Sequence, residues 1–373
     1  MRAWRNLGAE IEAPWGVCRL SDESSPMLRQ EADQPPGDQP RRTAKSLYSL
    51  GFIDSLQYCL RRKGERLPKA QVMGLAGEAF RFFFSRNHPS RGVMVFSFNP
   101  LRAVCSALGY NCTLEWQEDP RQAIGLLREH LNGQGYPLLR THKDWVVVRR
   151  ENAGEGFQIR RSRGRGERWS EDQLVARWHP EAGFLELGLV GHYLFTVGER
   201  EHEPPARDAA LGSLRRAVRL LTRARRVDGC AAGVRAYDEL VELLSRKRRA
   251  GEEGAVQDFQ KYASWNRAAL PALQGSRAAA SRYLELIEPD MCEEAQEPIR
   301  SAAERFRKIA QAWEGIALLP ADTRPDPPTI RRFLGERRGL ARSLKAARVW
   351  EDDCSEKLAA AVEIEERLGA EDK

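Results

Sequence analysis

The step at Glu201-His-Glu-Pro-Pro205 constrains this chain most, because the apolar periodicity changes there. Ahead of it, short apolar runs alternate with helical stripes; beyond it the apolar residues recur only at three-to-four spacing. A period near two marks a strand lying on a core, and one near 3.6 marks a helix with one buried face. The chain, at 373 residues, is also longer than one ordinary core accommodates. The expected class is therefore α+β, with a mixed α/β domain over residues 44–203 followed by an all-α helical bundle over 204–373.

Local signals fill in the front half. Leu47, Leu50, Ile53, Leu56 and Leu60 form one face of a leading helix that Gly64 stops. A second helix is expected from Pro68, carrying Met73, Leu75, Phe80 and Phe83-Phe84. Val93 to Phe98 reads as a buried strand, Leu101 to Leu108 as a short helix and Asn111 to Trp116 as another strand. Asp119-Pro120 opens a helix with the stripe Ile124, Leu127 and Leu131. Pro137 to Arg140 and Asp144 to Val148 are two strands joined by a tight connection, with Phe157 to Ile159 beside the second. Ser170-Glu-Asp-Gln173 has the form of a capping box, and Leu185 to Leu189 and Tyr193 to Val197 are the last strands.

In the back half, Pro271 divides a long helix and Leu319 to Pro328 reads as a rigid linker. No fixed-period repeat exists, so a helical bundle is expected rather than a solenoid. Residues 1–43, rich in proline and charge, read as a flexible leader, with translation starting at Met1 or near Met27.

A hydrophobic content of 42% with 30% charge is that of a globular protein, and no apolar run reaches the roughly 18 residues of a membrane span. The first 40 residues lack the apolar core of a secretory signal, so a cytoplasmic location is expected. The 60 basic residues are nearly balanced by 53 acidic ones, so the net +7 permits an anionic partner without requiring one. Seven cysteines lie scattered with no C-x-x-C pair, the pattern of reduced thiols rather than of a disulfide framework or zinc site. There is no phosphate-binding G-x-x-x-x-G-K-[ST], no dinucleotide fingerprint, no H-E-x-x-H and no G-x-S-x-G, so neither a cofactor nor a metal is expected.

The front half runs from the leading helix ending at Gly64 through Met73-Gly-Leu-Ala-Gly-Glu-Ala-Phe80, Leu108-Gly-Tyr110, Asp119-Pro120 and Gly135-Tyr-Pro-Leu-Leu139 to Trp145-Val-Val-Val148. In that order it resembles the cysteine-peptidase-like domains of butirosin-biosynthesis H-type proteins and of bacteriocin-processing peptidases. The helical tail is similar to the extension those biosynthetic proteins carry, so the resemblance covers about residues 44–370. It implies a cysteine nucleophile at the start of the leading helix, where the dipole lowers its pKa, and a histidine base on a central strand. Here the nucleophile position falls at Leu50 or Gly51, Asp144 stands where the histidine is expected, and Gln158-Ile-Arg160 supplies no third acid. The resemblance thus implies the scaffold without its standard triad.

Several residues remain as candidates for chemistry, each with a plainer reading beside it. Cys59 sits two turns into the leading helix and reads mainly as a core thiol. Ser49, near the helix start, is a nucleophile or a cap. His142 is a base two residues from the expected position or a turn histidine, and His192, in Gly191-His-Tyr193, is a site residue or a structural one. Glu78, beside Gly74 and Gly77, either serves a pocket or makes a structural ion pair. The candidate catalytic set is Asp144, His142, Glu78 and His192, and the candidate binding set is Ser49, Gly74, Gly77, Trp145 and Tyr193.

Two functions follow: a scaffold that has lost its triad and binds a peptide, amino acid or carrier-linked acyl group, or an active acyl or aminoacyl transferase or amide hydrolase with an unorthodox site. A weaker third is an RNA- or protein-binding module using the arginine runs Arg160 to Arg168 and Arg246 to Arg249. Small molecules, peptides or an acyl-carrier protein are the expected partners; nucleic acid is disfavoured and no membrane is involved. Oligomeric state is not legible in the sequence.

Overall fold

An antiparallel sheet with an apolar surface on each side organises the front half. The computed structural model describes residues 48–87, 89, 100–133, 135–141, 144–150, 156–161, 166–178, 181–182, 190–222, 226–227, 229–249, 251–320 and 322–371. The leader, His142 and the strands expected at 93–98 and 185–189 lie outside them.

The front elements are α1 (Tyr48–Arg62), α2 (Lys69–Leu75), β1 (Phe83–Phe84), α3 (Pro100–Leu108), β2 (Tyr110–Gln117) and α4 (Pro120–Asn132). They continue with β3 (Leu138–Arg140), β4 (Trp145–Arg150), β5 (Phe157–Arg161), β6 (Glu167–Trp169), α5 (Glu171–Arg177), β7 (Glu181–Ala182) and β8 (Val190–Arg200). The sheet runs β2-β8-β3-β4-β5-β6, with β7 also paired to β8. Register is set by pairs such as Leu138 with Val147, Leu138 with Phe195 and Val148 with Ile159. Because alternate side chains face opposite ways, Trp145, Val147, Tyr193 and Phe195 enter one core, whereas Val146, Val148 and Leu194 enter the other. The second core is closed by Ile124, Leu127 and Leu131 of α4 and Leu174 of α5.

Local chemistry starts these helices where the sequence places them. The Asp119 carboxylate accepts the Arg121 and Gln122 N–H groups ahead of Pro120. Ser170 and Gln173 make both bonds of the capping box.

The first core continues without a break into the back half, through α6 (Ala206–Leu221), α7 (Val234–Ser245), α8 (Glu253–Ala268), α9 (Leu270–Ile287), α10 (Glu293–Glu314) and α11 (Pro327–Glu371). Pro271 sits at the start of α9 and does divide the long helix. The Pro204-Pro205 step separates β8 from α6 along the chain, but Phe52 and Phe195 ahead of it share one apolar cluster with Trp313 and Leu358 beyond it. Residues 42–373 cluster as one unit.

Two expectations are corrected. The second helix does not reach Phe83: α2 ends at Leu75, and Gly77, with φ of 72°, turns the chain out of the helix. Phe83 and Phe84 instead pair with β10 (Cys230–Ala232), which pairs with β9 (Arg226–Val227). The back half therefore contains two strands and is not wholly helical. Strands this short carry no measurable period, so nothing in the sequence announces them.

Candidate functional site

The start of α1 and the start of β4 meet at one corner. Phe52 anchors the helix there, its ring edge-on to Trp145 at 4.9 Å and to Phe195 at 6.2 Å. One turn on, buried Ser55 donates through Oγ to the Trp145 carbonyl at 3.2 Å. These contacts lay the first turns of α1 across the mouth of β4.

A tight turn brings Asp144 to the same corner. The Thr141 N–H donates to the Asp144 carbonyl at 2.8 Å, and the Asp144 N–H donates back to Thr141 Oγ1 at 3.1 Å. Asp144 Oδ1 accepts the Trp145 N–H at 2.8 Å, which aims the carboxylate at α1. The residue it meets is Gly51: a methyl group there would overlap Asp144 Oδ1, so only glycine fits beneath the carboxylate as it stands. A carboxylate near a helix N-terminus is also placed favourably against the dipole. The corner thus sets Gly51, one of the two residues expected at the helix start, against Asp144 at the strand start. Ser49 lies in the first turn of α1.

The other expected site residues disperse. His192 packs edge-on to Trp178 at 5.7 Å, within the second core and so against the face of the sheet opposite Trp145. Tyr193 points the other way, buried against Trp116 at 6.5 Å. Gly74 has a packing role, because a side chain there would fall inside the Tyr283 ring of α9. Glu78 makes a buried ion pair with Arg81 at 2.8 Å. Burial pushes the Glu78 pKa up, and the Arg81 charge and hydrogen bond offset only part of that. Cys59 is buried with its thiol donating to the Tyr136 carbonyl at 3.4 Å, and burial pushes its pKa far up, the opposite of an activated nucleophile.

A second polar cluster was missed in the sequence. Arg277 is fully buried and donates through Nε to Glu351 at 2.6 Å and through Nη1 to the carbonyls of Ala79 and Arg81 at 3.1 and 3.0 Å. Tyr237 donates to the same Glu351 oxygen at 2.6 Å. No spacing rule joins residues that far apart, so only the fold exposes the cluster.

Among the described residues of the arginine runs, four are engaged within the chain. Arg160 lies over Tyr58 at 5.6 Å, Arg161 pairs with Glu167 at 2.8 Å, and Arg246 and Arg248 share Asp258 at 3.0 and 3.2 Å. These contacts favour folding over phosphate recognition. Among the described residues no cluster of three His, Cys, Asp or Glu side chains is placed to hold a metal, and no helix is long and apolar enough to cross a membrane. No family model matches the chain, and no curated protein matches it in sequence.

Proposed function

We propose that the α/β half is a cysteine-peptidase-like scaffold that binds a peptide, an amino acid or a carrier-linked acyl group without cleaving it. The observation that carries this reading is the Gly51–Asp144 contact, which sets helix start against strand start as a thiol–imidazole pair requires. Glycine offers no nucleophile, and the Asp144 carboxylate fills the space where a thiol would stand. The corner is buried, and its Asp144 carboxylate and Ser55 hydroxyl suit recognition of an amine or a carbonyl in place of its attack. Among the described residues, the buried Glu78–Arg81 pair and the position of His192 against the other sheet face keep these two candidates away from Asp144, which favours the binding reading.

The test is to rebuild the missing pair. In Gly51→Cys/Asp144→His the introduced thiol is expected to react with iodoacetamide near pH 6 at least about tenfold faster than an ordinary thiol, because imidazolium and dipole both lower its pKa. A rate no faster than that of the unfolded variant would remove the scaffold reading. Binding is read separately by native mass spectrometry of the full chain incubated with short peptides, free amino acids and acyl-phosphopantetheine. Retention of none of these classes would overturn the binding half of the proposal.

A further inference from the structure

Cys105 in α3 and Cys112 in β2 stand on the two arms of a helix-to-strand turn at Gly109. Gly109 adopts φ of 73°, and its carbonyl accepts the Glu201 N–H at 2.8 Å, so the turn also holds the stretch leading to Pro204-Pro205. α3 folds back onto β2, so that Cys105 lies in the apolar cluster and Cys112 packs against it, near enough for the two thiols to interact. Cys105 is fully buried, whereas Cys112 is only half-buried and within reach of a small reagent.

We propose that Cys105 and Cys112 form a reversible dithiol–disulfide site that exchanges with low-molecular-weight disulfides such as oxidised glutathione. Cys112 attacks first. The Cys105 hydrogen bond, aided by the Arg102 charge and opposed by burial, holds its thiol below the ordinary value, so the thiolate is accessible. Its sulfur bonds to one glutathione sulfur, the glutathione S–S bond breaks, and the first glutathione leaves carrying the proton that Cys112 gave up. Cys105 resolves the mixed disulfide. In the reduced pair its thiol is held high, first by the hydrogen bond with Cys112 and then by burial. Cys105 then bonds to the Cys112 sulfur, and the second glutathione leaves with the Cys105 proton. Two protein thiols are oxidised, and one glutathione disulfide is reduced to two thiols. Cys59 stays out because its thiol is buried and already donates to Tyr136. The product cross-links α3 to β2 across the turn that carries the connection into the helical half.

The experiment equilibrates the full chain in glutathione buffers from reducing to oxidising, quenches with acid, alkylates the remaining thiols in denaturant and digests with trypsin. Both cysteines fall in one tryptic peptide, residues 103–121. The expected result is conversion of that peptide from a doubly alkylated form to an unalkylated disulfide two hydrogen masses below the free dithiol, reversed by reduced glutathione. In Cys105→Ser the same oxidant should leave one glutathione on Cys112, and in Cys112→Ser it should leave Cys105 free. A native chain that stays doubly alkylated in excess oxidised glutathione overturns the proposal. So does one that stops at a stable glutathione adduct or joins Cys112 to a different cysteine. The native-chain measurement decides alone if a variant does not fold.

Discussion

Two of the buried carboxylates, Asp144 and Glu351, are satisfied at opposite scales of sequence distance. Asp144 is satisfied locally, by a turn to Thr141 and by the N–H of the next residue, and faces the start of a helix. Glu351 is satisfied at long range, by Arg277 and Tyr237 from two other helices, and Arg277 in turn grips the chain at Ala79 and Arg81. A locally held acid can be moved or exchanged without loosening the fold, which is what a site residue requires. An acid that ties α7, α9 and α11 to the α/β half is architecture. If that contrast is right, mutations at the two places should differ severalfold in their cost to stability.

The largest effect is expected at Arg277. Replacing it by leucine leaves Glu351 buried without its counter-charge and removes a donor from two buried carbonyls, a change expected to cost about 3–5 kcal/mol in urea unfolding. Combining Arg277→Met with Glu351→Met and Tyr237→Phe should recover most of the loss, because the cost lies in stranded polar groups more than in the missing attraction. A loss under about 1 kcal/mol in the single variant would place the network on the same footing as the Asp144 corner.

Gly74 comes next. Alanine normally stabilises a helix by about 1 kcal/mol over glycine. Here the added methyl would enter the Tyr283 ring, so α2 and α9 must separate, and a net loss of about 1–3 kcal/mol is expected from thermal unfolding. Gly74→Ala should become neutral or stabilising in a Tyr283→Ala background. At the corner itself, Gly51→Ala must push the Asp144 carboxylate aside but leaves the turn free to readjust, so about 1 kcal/mol is expected. The same substitution should abolish retention of any ligand that the full chain holds through this corner.

How much of this was legible depends on how local each signal is. Asp119 with Pro120, the Ser170 capping box, Pro271 and the β3–β4 pairing are written within a few residues, and each occurs as the sequence indicates. The class, α+β, follows from the same patterns. The Phe83–Phe84 and Cys230–Ala232 strands escaped because two or three residues have no period, and because their pairing spans the chain. At the candidate site, the sequence left the helix-start position open between Leu50 and Gly51, and only the folded chain sets Gly51 against Asp144. The Glu78 alternatives were open in the sequence because burial and the partner, Arg81, are properties of the folded chain. Arg277 and Glu351, 74 residues apart, had no local signature at all.

Glu78 supplies the finest test, because it lies between the two cases: its partner is three residues away, as local as Asp144's, yet it is buried as deeply as Glu351. Its pKa is raised in the folded chain, with burial as the main cause and Arg81 opposing it. The protonated form is therefore the one folding favours. That contribution is fully present below the ordinary glutamate value and is lost as pH rises through the raised folded value. Glu78→Gln cannot titrate, so the native chain should lose stability relative to the variant as pH climbs from about 4 to 8, followed by urea unfolding. If Arg81 fully compensated the carboxylate, the difference would stay flat or reverse. Glu78 would then behave as a paired structural acid like Glu351, and the distinction between local and long-range burial would no longer separate site from scaffold.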